Sequence, residues 1–290
     1  MAPPSLPPSR GPVPAPGRAA HSKPEERPAI WVAYGKLLRR FRKRAALTQE
    51  QLAERMRYSV DQLASVEQGR RPATARFTKA AERVLDAGGA LEDLQEEVDL
   101  AKLPAFFRDF ATIEMQAVSR FSCDPLLVPG LLQTPEYARA VLEGHVPLLD
   151  SDTVENSIDG RISRQKILTK VPLVSFSFVI GETALREEVG SAEVMRGQYE
   201  HLLSLGQLRN VEIQMMPSGT GFHPGMDGPM VLVETQRHHQ YGYLESQNIG
   251  QVISDSNEVS MLAQRYGKLR ARALSEDQSA AFIRQLRGDL

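Results

Sequence analysis

The stretch TQEQLAERMRYSVDQLASVEQGRRP, Thr48 to Pro72, holds two helix starts eleven residues apart. Thr48 with Gln51, and Ser59 with Gln62, each pair a hydroxyl with a Gln three residues on. In that spacing the hydroxyl accepts from the third helical amide, and the Gln side chain returns a bond to the cap amide. Leu47 against Leu52 and Tyr58 against Leu63 add a hydrophobic staple to each start. One helix therefore begins near Gln49 and the next near Val60, which leaves the first about two turns. Two short capped helices with a three- or four-residue connection are the helix-turn-helix pattern, whose second helix enters a DNA major groove.

The flanks agree. In WVAYGKLLRRFRKR, residues 31–44, Tyr34, Leu37, Leu38 and Phe41 fall at i, i+3, i+4 and i+7 on one apolar stripe. Its basic residues also suit the C-terminal end of a helix dipole, so part of this charge needs no nucleic acid. Gly69 stops the second helix of the pair. Residues 74–86 form a fourth helix with Phe77, Ala80, Ala81, Val84 and Leu85 inward, closed by Gly88-Gly89. The expectation is an all-α bundle of four to five helices over 30–89, within an α+β chain.

Charge separates this bundle from the rest. Residues 30–85 carry thirteen Lys/Arg against five Asp/Glu, a net of +8; residues 86–290 carry eighteen against twenty-nine, a net of −11. A basic head on an acidic body points to a polyanion as partner of the head. Residues 1–29 hold nine of the nineteen prolines and are expected to be a disordered tail. Residues 90–122 read as a helical connector. Residues 123–290 read as a larger mixed α/β domain, with strands expected over 172–180, 210–216, 229–234 and 240–245. Helices are expected over 135–142, 152–169, 191–205, 257–273 and 276–287, and Leu126–Leu132 as an extended apolar run turning at Pro129-Gly130. A lone cysteine, Cys123, leaves no internal disulfide. With no apolar run near the ~18 residues of a membrane helix, a reducing cytoplasm at the nucleoid is the expected compartment.

Val60, Asp61, Gln62 and Ser65 stand on the outer face at the start of the second helix, where side chains meet base edges. Val60 suits a thymine methyl or plain surface. Asp61 suits a base only at cytosine N4, and at the second helical position it gains from the dipole without any DNA. Gln49 begins the first helix of the pair, so its backbone N–H is placed for phosphate. Arg57, Arg70 and Arg71, with Arg76 and Lys79, are phosphate candidates that position without specifying sequence. No Gly-x-Ser-x-Gly elbow, Walker loop or paired-histidine zinc motif is present, so no enzyme, cofactor or metal is expected. His223, His238 and His239 are read as surface residues, the last two on opposite faces of a strand. Cys123 is read as a small buried hydrophobe, and Arg161 and Arg164 as facing solvent or an acidic neighbour. Phe106, Phe107, Phe110, Leu126, Leu127 and Val128 are read as core rather than a ligand pocket.

Three runs then carry a resemblance: Leu47-Thr48-Gln49-Glu50-Gln51-Leu52-Ala53-Glu54, Tyr58-Ser59, and Glu67-x-Gly69-Arg70-Arg71-Pro72. They resemble the lambda-repressor-like helix-turn-helix of xenobiotic-response-element-type regulators. The rest resembles the α/β domain of unknown function, DUF5753, that follows this module in many actinobacterial regulators. Its marks are Glu114, CDPLLVPGLLQT at 123–134, Tyr137-Ala138-Arg139-Ala140, Arg161-x-x-Arg164-Gln165 and Gly228-Pro229. The resemblance covers about residues 30–288. It implies a transcriptional regulator that binds double-stranded DNA as a homodimer, or an antitoxin-like protein that also binds a small partner protein encoded nearby. There are two departures from the pattern. Arg57 stands where the family usually has Gly, and Val60-Asp61 where it often has Arg or Ser, so the target sequence does not carry over.

Overall fold

The computed structural model describes residues 28–247 and 249–290, so nearly all of the tail expected over 1–29 lies outside the described residues. The chain is α+β: a helical N-terminal unit followed by a mixed α/β domain. Helices α1 (Ala29–Arg44), α2 (Gln49–Met56), α3 (Val60–Glu67), α4 (Ala75–Leu85) and the short α5 (Gln95–Leu100) enclose one core. Tyr34, Leu38, Leu52, Met56, Leu63, Val66, Phe77 and Leu85 fill it. Both capping boxes form: the Thr48 and Ser59 hydroxyls accept from the Gln51 and Gln62 amides, and each Gln returns its bond to the cap. Thr74 caps α4.

Gly35 sets how closely α1 and α3 approach. A Cβ there would lie 2.4 Å from the Val66 carbonyl oxygen and 2.6 Å from that of Glu67. The turn between α2 and α3 is made by Arg57 in the left-handed region, φ 60° and ψ 45°, a conformation that costs a non-Gly residue roughly 1 kcal/mol.

The second domain begins at α6 (Ala105–Glu114). The helical reading of 90–122 ends there, because Ala117–Asp124 is a strand, β1, in the interior of the sheet. Its alternation was disguised by polar residues on a buried face. Phe121 and Cys123 join the apolar cluster of Val179 and Leu269, whereas Arg120 turns to the opposite side, over the Phe178 ring. Then follow α7 (Pro135–Glu143), α8 (Ser151–Arg164), β2 (Ser175–Gly181), the one-turn α9 (Glu182–Arg186), α10 (Ala192–Leu205) and β3 (Val211–Met216). The hairpin β4 (Met230–Thr235) and β5 (Gln240–Ser246), β6 (Ile249–Ile253), α11 (Ser256–Arg270) and α12 (Glu276–Asp289) complete the chain. The sheet order is β3-β2-β1-β4-β5-β6; β1, β2 and β3 run parallel, and the remaining neighbours are antiparallel.

Three local expectations change. The run Leu126–Leu132 closes into a 3-10 turn at Gly130–Leu132. Leu126 and Leu127 are exposed, at 66% and 44%, on the bend leaving β1, while Phe107, Phe110 and Val128 are core. His238 and His239 sit in the turn between β4 and β5, where His238 contacts Glu234 at 2.7 Å.

The domains meet through α5 and α8. On the N-terminal side α5 is held to α1, where the Trp31 indole donates to the Val98 carbonyl at 3.2 Å. A Cβ on Gly160 of α8 would lie 2.9 Å from the Lys102 side chain, which pairs with Asp99 at 2.7 Å. Arg71, just beyond α3, pairs with Asp152 in the first turn of α8 at 2.6 Å.

Candidate nucleic-acid interface

A two-turn helix can be presented to a ligand only if something else holds its axis, since so short a helix is marginal by itself. Here the inner face of α3 is anchored by Leu63 and Val66 and by a buried ion pair. Arg42 of α1 donates to both carboxylate oxygens of Glu67, at 2.6 and 3.0 Å. Its other nitrogen donates to the Leu47 carbonyl at 2.9 Å. The Glu67 hydrogen bond holds the guanidinium above its ordinary pKa despite burial. Gln49 completes the network by donating its side-chain amide to Glu67 at 2.7 Å. One group of bonds thus locks α1, α2 and α3 together. The basic composition around Arg42 concealed it, but it follows Leu38 by four residues and so lies on the buried stripe.

The outer face of α3 carries Val60, 37% exposed, with exposed Asp61 and Gln62. Ser65 is half-buried, and its carbonyl accepts from the Arg70 and Arg71 amides at 2.9 and 3.4 Å. Gln62 is engaged at its carbonyl end by the Ser59 amide at 3.3 Å, which leaves its side-chain NH2 outward. Gln49 has its NH2 committed to Glu67, so its free donor is the first-turn backbone amide, which has no intrahelical acceptor. Arg70 is exposed. Arg71 is turned away from α3 to Asp152, and Arg57 is exposed at the turn before α3.

Two depressions lie at opposite ends of α3. At its C-terminal end, beside the start of α2, Arg39, Arg42, Thr48, Gln49, Glu50 and Glu67 line a hollow of about 550 Å³. Its two arginines face two carboxylates. Glu50 is held below the usual carboxylate range by its own amide and by the Thr48 hydroxyl. At the N-terminal end of α3, a groove of about 690 Å³ runs between the end of α2 and one face of α4. Arg55, Arg57, Arg76, Lys79 and Arg83 rim it, with Tyr58 inside. Arg55 and Arg83 drew no attention in the sequence, although 76, 79 and 83 share one helical face.

The second domain contains a polar cluster on its sheet. Glu114 of α6 pairs with Arg120 at 2.7 Å and Arg164 at 3.1 Å. Arg164 lies over the Phe107 ring, and Arg161 bonds Gln133. Burial, beside Arg164, holds Arg161 down to about 10. Burial pushes the nearby Asp124 up to about 6 against the pull of Arg120. Arg164 thus has the acidic neighbour expected of it. Burial pushes the Cys123 thiol up to about 12, so it stays protonated at neutral pH. Among the described residues, no group of three or more His, Cys, Asp or Glu could hold a metal ion, and no helix is long and apolar enough to cross a membrane.

A family model described as a helix-turn-helix domain matches residues 33–95. A second, described as a domain of unknown function, DUF5753, matches residues 107–285. No curated relative and no solved structure matches the chain.

Proposed function

The chain belongs to the DUF5753 family and carries a helix-turn-helix domain ahead of that domain, and from this premise we propose that it is a sequence-specific, DNA-binding transcriptional regulator rather than an enzyme. The observation that supports this most directly is α3. It is capped and bolted to α1 through Arg42 and Glu67, it presents Val60, Asp61 and Gln62 outward, and it is flanked by hollows at both ends. In this reading α3 enters the major groove, and the Gln49 amide meets a phosphate. Gln62 donates to a base from its NH2; the two-bond recognition of adenine would require its carbonyl to leave the Ser59 cap. A homodimer would place two such helices about 34–36 Å apart, one helical turn of DNA.

Fluorescence anisotropy with labelled fragments of the protein's own promoter tests this. Folded protein that binds none of them at low salt would overturn it. Gln62→Ala is expected to relax preference among base-substituted duplexes. Arg70→Ala is expected to weaken all duplexes alike and to reduce the slope of log K against log salt by about 1.

A further inference from the structure

The two hollows beside α3 differ in charge in a way that the proposed DNA-binding role does not require. The hollow at the start of α2 balances Arg39 and Arg42 against Glu50 and Glu67. The groove at the other end has five cations on its rim and, among the described residues, no carboxylate in its lining. All five are exposed, and none makes a side-chain hydrogen bond or ion pair among the described residues. Like charges gathered with no counter-charge repel one another in the free protein, so a bound polyanion relieves more energy here than at a neutralised site.

The shape of the groove narrows the polyanion. Arg76, Lys79 and Arg83 follow one face of α4 over about 10 Å, at 1.5 Å per residue. One DNA strand winds obliquely around its axis, so its phosphates lie farther apart than their ~3.4 Å axial rise, and this row reaches about two of them. Arg55 and Arg57 face the row from the end of α2. The floor is rigid. Tyr58 packs edge-on against Phe77 at 5.0 Å, and Met56 is buried. Tyr58 in the groove lining is followed directly in the chain by Ser59, the cap of α3, so the groove lies beside the start of the helix that faces the bases.

We propose that the groove between α2 and α4, rimmed by Arg55, Arg57, Arg76, Lys79 and Arg83, is the main phosphate-binding track of this protein and holds a DNA strand as it passes the N-terminal end of α3. The inference rests on the DNA-binding reading above and adds to it the surface that supplies most of the affinity. Arg55 and Arg83 position the duplex without reading it.

The test uses the full chain, a duplex from its own promoter and a scrambled duplex of equal length, titrated between 50 and 200 mM salt. Arg55→Gln/Arg83→Gln alters two exposed side chains, so its melting should match wild type. It is expected to weaken both duplexes by the same factor and to lower the salt slope by about one to two. Arg55→Lys/Arg83→Lys keeps two point charges and should restore the slope. Wild-type affinity and slope in the Gln variant, beside a wild type that binds DNA, would overturn the track and leave the DNA-binding reading standing. So would tighter binding by that variant, which would mark the groove as the seat of an acidic segment of protein. So would loss confined to the promoter duplex at an unchanged slope, which would mark base reading. A wild type that binds neither duplex removes the DNA-binding reading itself, and the track with it.

Discussion

At the scale of single residues, Arg57 shows two demands meeting in one position. The turn between α2 and α3 needs a left-handed residue, and Gly would occupy it without strain. Arg57 accepts the strain and places a cation at the mouth of the basic groove. Arg57→Gly is therefore expected to raise the unfolding free energy by up to about 1 kcal/mol, less the part lost to the freer unfolded chain. The same change should weaken DNA binding and lower the salt slope by about 0.9, one phosphate contact. Thermal melting and anisotropy on one preparation check both; a variant that is more stable and binds as well as wild type would show that the cation is a spectator. The residue scale is also where sequence is hardest to read. Gln62 is a capping partner and a base-reading candidate by the same side chain, and only the bond from Ser59 shows that its carbonyl is occupied. Arg42 looks like its basic neighbours in composition, yet it is buried in an ion pair whose partner lies twenty-five residues away.

At the scale of elements, α2 and α3 were legible because each start carries its own chemistry. Thr48 and Ser59 cap as their spacing implies, since a cap is a local bond that tertiary packing need not override. The strand β1 was not legible, because a central strand is recognised by apolar alternation and this one carries Arg120, Ser122 and Asp124 between its apolar residues. Those residues serve a long-range cluster with Glu114 and Arg164, which no local pattern announces. The contact of α1 with α3 is long-range in the same sense, and Gly35 is its most sensitive point. Gly35→Ala favours the helix by intrinsic propensity, about 1 kcal/mol, but drives a methyl against two backbone carbonyls that cannot rotate away. Overpacking of this kind costs typically 1–3 kcal/mol, and here it should outweigh the propensity gain. Denaturant unfolding is expected to show a net loss with an unchanged m-value; a more stable variant would mean that α1 and α3 are free to separate.

At the scale of the whole molecule, the net +8 of residues 30–85 is joined to the net −11 of residues 86–290, and the two meet at Arg71 and Asp152. That pair is bidentate, with Arg71 Nη2 and Nε donating to the two Asp152 oxygens at 2.6 and 3.3 Å. Both side chains are about half exposed, so the pair contributes no more than about 1 kcal/mol and is weakened by salt. Arg71 cannot give the same guanidinium edge to a phosphate while Asp152 holds it. Binding DNA with Arg71 therefore carries the cost of breaking this contact, and removing Asp152 removes that cost. Asp152→Asn is expected to tighten DNA binding by up to about five-fold at low salt, the equivalent of about 1 kcal/mol, with the gain shrinking as salt rises. The cap of α8 is Asp150, which accepts from Thr153 at 2.9 Å, so the helix start survives the change. Arg71→Gln should weaken binding, and in the Arg71→Gln background Asp152→Asn should have no further effect, because the two substitutions act on one contact. Equal gains from Asp152→Asn with and without Arg71 would instead assign the effect to the general negative charge of the second domain.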